Sequence, residues 1–398
     1  MLEKLAPQKP DALLALIKLY AADDRTDKID LGVGVYRDNG GNTPVFKAIK
    51  AAEQRLFESQ DSKSYLGPEG DMGMVNGLLP HILGPDLIAQ YTIDGLQTPG
   101  GTGAVRLAAD TLYAAGARRI WLGTPSWPNH APIFTASHFE VLTYRHMDVA
   151  TQSLDMEALL SSLYKAQDGD VVLLHGCCHN PSGVDYTAEQ WAHIVEIMAE
   201  KRLFPLVDFA YHGLGQGFEE DSAGLKTVLA RLPQAMIAYS CDKNFGMYRD
   251  RVGALYAVAQ DDEVMATTKS NMAALARANW SMPPDHGGAA VRIIVEDAEL
   301  TQMWRDEVAE MRARMRWVRD TLAAAGHVGH NSGQGGVDFT PLATQNGMFS
   351  MLPLSPEQIQ ALRDDHAIYM AGSGRINIAG LTEGNIGKFI EAVAAVSG

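Results

Sequence analysis

The chain has 398 residues, 46% of them apolar and 20% charged, with a formal net charge of −15. That length exceeds one typical core and predicts two domains, or one large and one small, and the composition is ordinary for a soluble globular enzyme. So acidic a balance excludes indiscriminate binding to nucleic acid or to anionic membranes, although arginines focused in a cleft could still hold an anion. The three cysteines, Cys177, Cys178 and Cys241, include an adjacent pair. They imply no disulfide framework and fit a reducing cytoplasm. The opening Met1 to Pro10 carries charge and prolines where a signal peptide needs an apolar run, and no stretch of about 18 apolar residues predicts a membrane helix.

From the N-terminus, the residues up to Pro10 read as an extended arm, because prolines resist helix. Asp11 to Ala22 carries Leu13, Leu14, Leu16, Ile17 and Tyr20 at helical spacing, with Asp11 as the N-cap. Ile29 to Tyr36 reads as a short strand broken by Gly32 and Gly34, and glycine in a strand marks close approach of a backbone or a ligand. Phe46 to Ser59 reads as a helix, and Ser64 to Gly70 as a loop bearing one exposed aromatic, Tyr65. Pro99-Gly100-Gly101-Thr102-Gly103 then opens into a helix expected over Ala104 to Ala115. Small residues ahead of a helix N-terminus make an anion site, because free N–H groups and the helix dipole converge there. The run is neither a Walker A loop nor a complete GxGxxG, which counts against nucleoside triphosphates and dinucleotides.

Beyond this point strands and helices alternate. Ile120 to Gly123, Val141 to Tyr144, Val171 to Leu174 and Leu203 to Val207 read as strands, and Thr187 to Lys201 as a helix. Such alternation predicts a mostly parallel sheet covered on both faces, with ligands at the strand ends. Trp127, Asn180, Asp208, Tyr211 and Lys243 all fall just after strands. Lys243 sits in the loop between two apolar runs, Ala235 to Ala238 and Ala254 to Val258. A lysine in a partly apolar pocket loses its charge readily, and its amine can then attack a carbonyl. From about Leu300 the character changes. A long amphipathic helix over Thr301 to Ala325, glycine-rich loops, short strands at Gly347 to Leu352 and Ser373 to Ile378, and a last helix from Asn385 read as a smaller α+β domain.

If the lysine carries a phosphorylated aldehyde, five other parts are needed: an anion cradle, a carboxylate, a donor to a phenolate oxygen, a flat side chain, and a cation for the substrate carboxylate. The chain offers each one. Ser240-Cys241-Asp242-Lys243-Asn244-Phe245-Gly246, His175-Gly176-Cys177-Cys178-His179-Asn180-Pro181, Asp208-Phe209-Ala210-Tyr211, Pro125-Ser126-Trp127-Pro128-Asn129-His130 and Gly100-Gly101-Thr102-Gly103-Ala104 supply them. As a set they resemble the aspartate/aromatic aminotransferases, pyridoxal-phosphate enzymes of fold type I, essentially from end to end.

The resemblance implies an α/β fold: a large domain with a mostly parallel seven-stranded sheet flanked by helices, plus a smaller α+β domain. It implies an arm over 1–12, a small domain over 13–44 and 306–398, and a large domain over 45–305. It implies pyridoxal 5′-phosphate, no metal, a cytoplasmic homodimer with shared active sites, and cis bonds before Pro125 and Pro181. Carried over residue by residue, it makes Lys243 the residue that holds the cofactor and shuttles the proton. Asp208 pairs with the ring nitrogen, Tyr211 and Asn180 bond the ring oxygen, and Trp127 stacks on the ring. Gly101, Thr102, Ser240 and Arg251 hold the phosphate, with Tyr65 reaching it from the other subunit. Arg375 grips the substrate α-carboxylate near Gly34 and Asn180, and Arg277 takes a second carboxylate across the interface.

The implied reaction moves the amino group of an aromatic or acidic L-amino acid to 2-oxoglutarate by a ping-pong mechanism. The best reading is a tyrosine/phenylalanine aminotransferase with aspartate activity. The alternatives are a strict aspartate aminotransferase and, more distantly, a pyridoxal-phosphate lyase or a non-catalytic binding protein. Two positions depart from the family pattern. Asp242 stands where a serine is common near the phosphate, so it is expected to turn away or to weaken cofactor retention. Met282 stands where strict aspartate enzymes commonly carry asparagine, and an apolar, adaptable side chain favours aromatic substrates. The cluster His175, Cys177, Cys178 and His179 matches no zinc spacing and reads as a packed loop beside the cofactor.

Overall fold

The computed structural model describes residues 1–7, 12–329 and 336–398. The expected N-cap Asp11 and the end of the arm at Pro10 lie outside the described residues. The first long helix is Ala12–Ala22.

A seven-stranded sheet organises the molecule, its strands labelled here along the chain. They are β1 (Thr92–Pro99), β2 (Arg119–Thr124), β3 (Glu140–Arg145), β4 (Val171–His175), β5 (Phe204–Phe209), β6 (Ala235–Ser240) and β7 (Val252–Ala259). Their spatial order is β1-β7-β6-β5-β4-β2-β3. β7 runs antiparallel to both of its neighbours, and the remaining pairs are parallel. Every residue of β6 and β7 is buried, because apolar residues at successive positions feed opposite faces. Ile237 and Tyr239 enter the core on one face, and Met236 and Ala238 the core on the other. The expected mostly parallel, seven-stranded sheet is therefore present.

Register then sets the site. His175 pairs with Asp208, Asp208 with Ala238, Ser240 with Gly253, and Val252 with Pro99. The ends of β1, β4, β5 and β6 and the start of β7 thus share one edge of the sheet.

Outside this sheet, Ile29–Asp30 pairs with Ile368–Tyr369, and Phe349–Met351 pairs with Arg375–Asn377. The 27-residue helix Ala298–Ala324 packs against both the helices beside the main sheet and the C-terminal elements.

Three expectations need correction. The strand expected over Ile29 to Tyr36 is only two residues long. Past it the chain bends, and Asn377 Nδ2 holds the bend by donating to the carbonyls of Val33 (2.6 Å) and Val35 (2.7 Å). The helix expected from Ala104 begins at Gly100, because packing against β6 and β7 overrides the poor helix propensity of the glycines. The strand expected to end at Val207 runs to Phe209, so Asp208 belongs to the strand rather than to the loop after it.

Candidate active site

The loops leaving this edge of the sheet enclose a small cavity lined by Gly101, Thr102, Trp127, Asn180, Asp208, Tyr211, Ser240, Asp242 and Lys243. A larger cleft of about 810 Å³ lies at the opposite ends of the strands. There Arg202 pairs with Asp168 (2.9 Å) and Arg119 with Asp170 (2.7 Å), and none of the expected site residues lines it.

Lys243 follows β6 by three residues, and its Nζ stands 5.4 Å from the centre of the Tyr211 ring. Among the described residues no hydrogen bond or ion pair restrains it. Burial lowers its pKa, against the opposing charges of Asp242 and Asp208. Its amine is thus biased toward the neutral, nucleophilic form.

Asp208 is 6% exposed and accepts from His130 Nε2 at 2.9 Å. The other ring nitrogen of His130 meets Ser126 Oγ at 2.8 Å. Burial works to raise the Asp208 pKa, but the hydrogen bond and charge of His130, aided by His175 and Lys243, leave it below the ordinary value. The result is a carboxylate kept ionised beside a buried cavity. His175, its partner in the strand register, is pushed down to about 3 by burial and so is kept neutral.

Tyr211 O–H and Asn180 Nδ2 lie 3.0 Å apart, and burial raises the Tyr211 pKa strongly. Asn180 Oδ1 is buried without a partner. The half-buried Trp127 forms the cavity wall and meets His130 edge-on, centroids 5.1 Å apart. The peptide bonds before Pro125 and Pro181, in the loops carrying Trp127 and Asn180, are cis as expected.

The helix Gly100–Ala114, whose start carries the expected anion-holding residues, has no side-chain cap. Its N–H groups are therefore left for a ligand. Side chains crowd this turn. A Cβ on Gly100, whose φ is +69°, would stand 2.5 Å from Arg251 Nη2, and one on Gly101 would stand 2.9 Å from Ser240 Cβ. Arg251 is held by an ion pair with Asp242. Asp242 has therefore not turned away: it lines the cavity, and its burial is stabilised by the arginine it faces.

Arg375 is 9% exposed, donates to the Gly32 carbonyl at 2.9 Å, and lies 4.6 Å above the Phe349 ring. Its Nε has no partner. A Cβ on Gly34 would meet the same Phe349 ring at 2.7 Å, so glycine is needed where the bend passes the arginine. Tyr65 (90% exposed) and the exposed Arg277 are not brought to the Lys243 cavity of their own chain. They belong instead to a surface cluster. Arg277 Nη1 donates to Ser281 Oγ, and Met282 Sδ accepts from the N–H of Leu66, next to Tyr65, at 3.1 Å.

Ser126, His130, His175 and Phe349 were not anticipated as parts of the site. The first three lie inside stretches that carried the resemblance, and a buried carboxylate calls for a donor. Nothing in the sequence places Phe349 beneath Arg375.

The class I and II aminotransferase family model matches residues 26–393. The chain belongs to this family. It is 50% identical over 381 residues to the tyrosine aminotransferase of Rhizobium meliloti, covering 96% of each chain. It is 42% identical to the aspartate aminotransferase of Escherichia coli over the whole of both chains. An aromatic-amino-acid aminotransferase from Burkholderia pseudomallei, its structure described as covalently bound to pyridoxal phosphate, superposes with a TM-score of 0.95 at 34% identity, over the full length of both chains. The protein is an aminotransferase, and its family uses pyridoxal phosphate. Among the described residues, no helix is long and apolar enough to cross a membrane.

Proposed function

We propose that this aminotransferase moves the amino group of tyrosine or phenylalanine, and also of aspartate, to 2-oxoglutarate by a ping-pong mechanism with pyridoxal 5′-phosphate. The observation that carries the reading is the convergence of an unrestrained Lys243, an ionised Asp208 and a glycine-built anion cradle on one cavity. When bound there, the cofactor supplies an electron sink conjugated to the substrate Cα.

Each residue then has a task. Gly101, Thr102, Ser240 and Arg251 would hold the phosphate, and Asp208, kept ionised, would pair with the ring nitrogen. Tyr211 and Asn180 would donate to the ring oxygen, and Trp127 would give the ring a flat wall. Lys243 would hold the cofactor, and its amine, biased toward the neutral form by burial, would move the proton at the substrate Cα. Arg375 receives the α-carboxylate as a bidentate fork, with its unpartnered Nε turned to use.

The enzyme acts as a cytoplasmic homodimer in this reading. Tyr65, Leu66, Arg277 and Met282 cluster on the surface, away from their own Lys243, and Met1, Leu2 and Leu5 are also exposed. Such a patch fits a second copy whose cavity receives Tyr65 and Arg277. The small domain comprises 13–44 and 306–398, and the large domain 45–305. Support comes from the short strand pairs that join residues 29–30 to the C-terminal part.

Steady-state kcat/KM for tyrosine, phenylalanine and aspartate tests the substrate range. All three are expected to turn over, and Met282→Asn is expected to move the ratio toward aspartate. Undetectable aromatic turnover beside fast aspartate turnover would leave a strict aspartate enzyme.

A further inference from the structure

Asp242 sits in the anion cradle, where the chemistry asks for a donor and finds an acceptor. It is 2% exposed and lines the cavity beside Ser240, Lys243, Gly101 and Thr102. One carboxylate oxygen is ion-paired with Arg251 Nη1, and the other is buried with no hydrogen-bond partner. The paired oxygen lies 3.0 Å from where a Cβ on Gly100 would stand, at the uncapped start of the helix. The arginine expected to hold a phosphate is therefore already engaged by a carboxylate. An ionised carboxylate and a phosphate dianion in one buried pocket repel.

We propose that Asp242 is a proton-carrying ligand of the phosphate pocket. As a phosphate dianion enters, Asp242 takes one proton from solvent, releases Arg251 to the anion, and donates a hydrogen bond to a phosphate oxygen. This rests on reading the pocket as a phosphate site. The balance is simple: one proton is bound per dianion, and no bond other than O–H is made on the protein.

The surroundings favour this exchange. Burial already raises the Asp242 pKa, opposed by Lys243 and then Arg251. The arriving anion adds to the raising side and draws Arg251 away. The other titratable neighbours are Tyr248 and Cys241, whose own pKa values are raised by burial and, to a smaller degree, by the Asp242 charge. The start of the helix contributes Gly100, Gly101 and Thr102, none of them titratable. The carboxylic acid then does what a serine hydroxyl does at this place in the family pattern, but only when protonated.

The test is calorimetry on the full chain freed of cofactor, titrated with pyridoxal 5′-phosphate and, separately, with inorganic phosphate. Buffers of different ionisation enthalpy report the protons taken up. At pH 8 both anions are mostly dianions, since their second pKa lies at about 6–7. Wild type is expected to take up about one proton more than Asp242→Asn or Asp242→Ser for either anion. Its Kd is expected to rise roughly tenfold per pH unit between pH 7.5 and 9, while that of Asp242→Asn stays flat. The serine variant supplies the comparison if the asparagine variant does not fold. Equal proton uptake with parallel pH profiles in wild type and variant overturns the role of Asp242 and leaves the phosphate site standing. A wild-type chain that binds neither anion overturns both.

Discussion

Gly100→Ala separates the anion cradle from general stability. Gly100 has a φ of +69°, and an alanine there pays about 1–2 kcal/mol for the left-handed backbone. Its Cβ would also stand 2.5 Å from Arg251 Nη2 and 2.8 Å from Arg251 Cζ. The guanidinium is the free end of a long side chain, so it moves and the fold survives. If Arg251 holds the phosphate as proposed, what is lost is a charge-assisted hydrogen bond, about 1.5–3 kcal/mol, or roughly ten- to a hundredfold in Kd. Gly116→Ala is the control. That glycine lies just past the end of the same helix with φ +106°, and a Cβ there would meet nothing within 4 Å. Both variants should lose a few °C in apparent Tm, and only Gly100→Ala should bind pyridoxal phosphate at least tenfold more weakly in a fluorescence titration. Equal Kd values for the two variants would refute the placement of the phosphate.

Arg375→Lys keeps a charge but removes the fork. It is expected to raise KM for amino and oxo acids alike by ten- to a hundredfold, because both present the same α-carboxylate; a change confined to one substrate class would contradict the shared site. Acid should destabilise the fold from about pH 6.5 downward. Burial lowers His146 to about 4, and His175 and His212 to about 3. Between pH 6.5 and 4 the unfolded chain therefore binds protons that the folded chain does not, at about 1.4 kcal/mol per pH unit for each histidine. Asp221, raised by burial to about 6, takes up a proton in the folded state and partly offsets the loss. His212 bonds Tyr239, Phe218 and Ser222, away from the cavity. His212→Gln is expected to flatten the pH dependence of the urea-unfolding free energy by about one proton's worth; an unchanged slope would show that this histidine is not held neutral.

The inner strands of the sheet are legible because they are short, apolar and separated by turn residues, and because strands buried on both faces, such as Val171–His175 and Ala235–Ser240, leave no polar alternation to misread. Less visible was β1, where Asp94, Gly95 and Gln97 interrupt the apolar pattern. Gly95 is there because a Cβ would stand 2.6 Å from the Leu255 carbonyl across the strand pair. The helix start at Gly100 was misplaced by four residues, since propensity argues against glycine and the packing that favours it is tertiary. The site was readable wherever a residue's chemistry is explicit, as with Lys243, Asp208 and Asn180. It was unreadable where meaning depends on a distant neighbour. Phe349 is an ordinary core phenylalanine until Arg375 is seen above it. Asp242 could be recognised as out of place, but its ion pair with Arg251, nine residues on, depends on how the loop closes onto β7.

Lys243 is proposed to hold the cofactor. Borohydride reduction of the enzyme loaded with pyridoxal phosphate, followed by peptide mass mapping, tests it directly. A single stable pyridoxyl-phosphate label is expected on Lys243, absent if the enzyme is first converted to its amino form with excess donor amino acid and absent in Lys243→Ala. Label on another lysine, or none on a loaded and active enzyme, would contradict it.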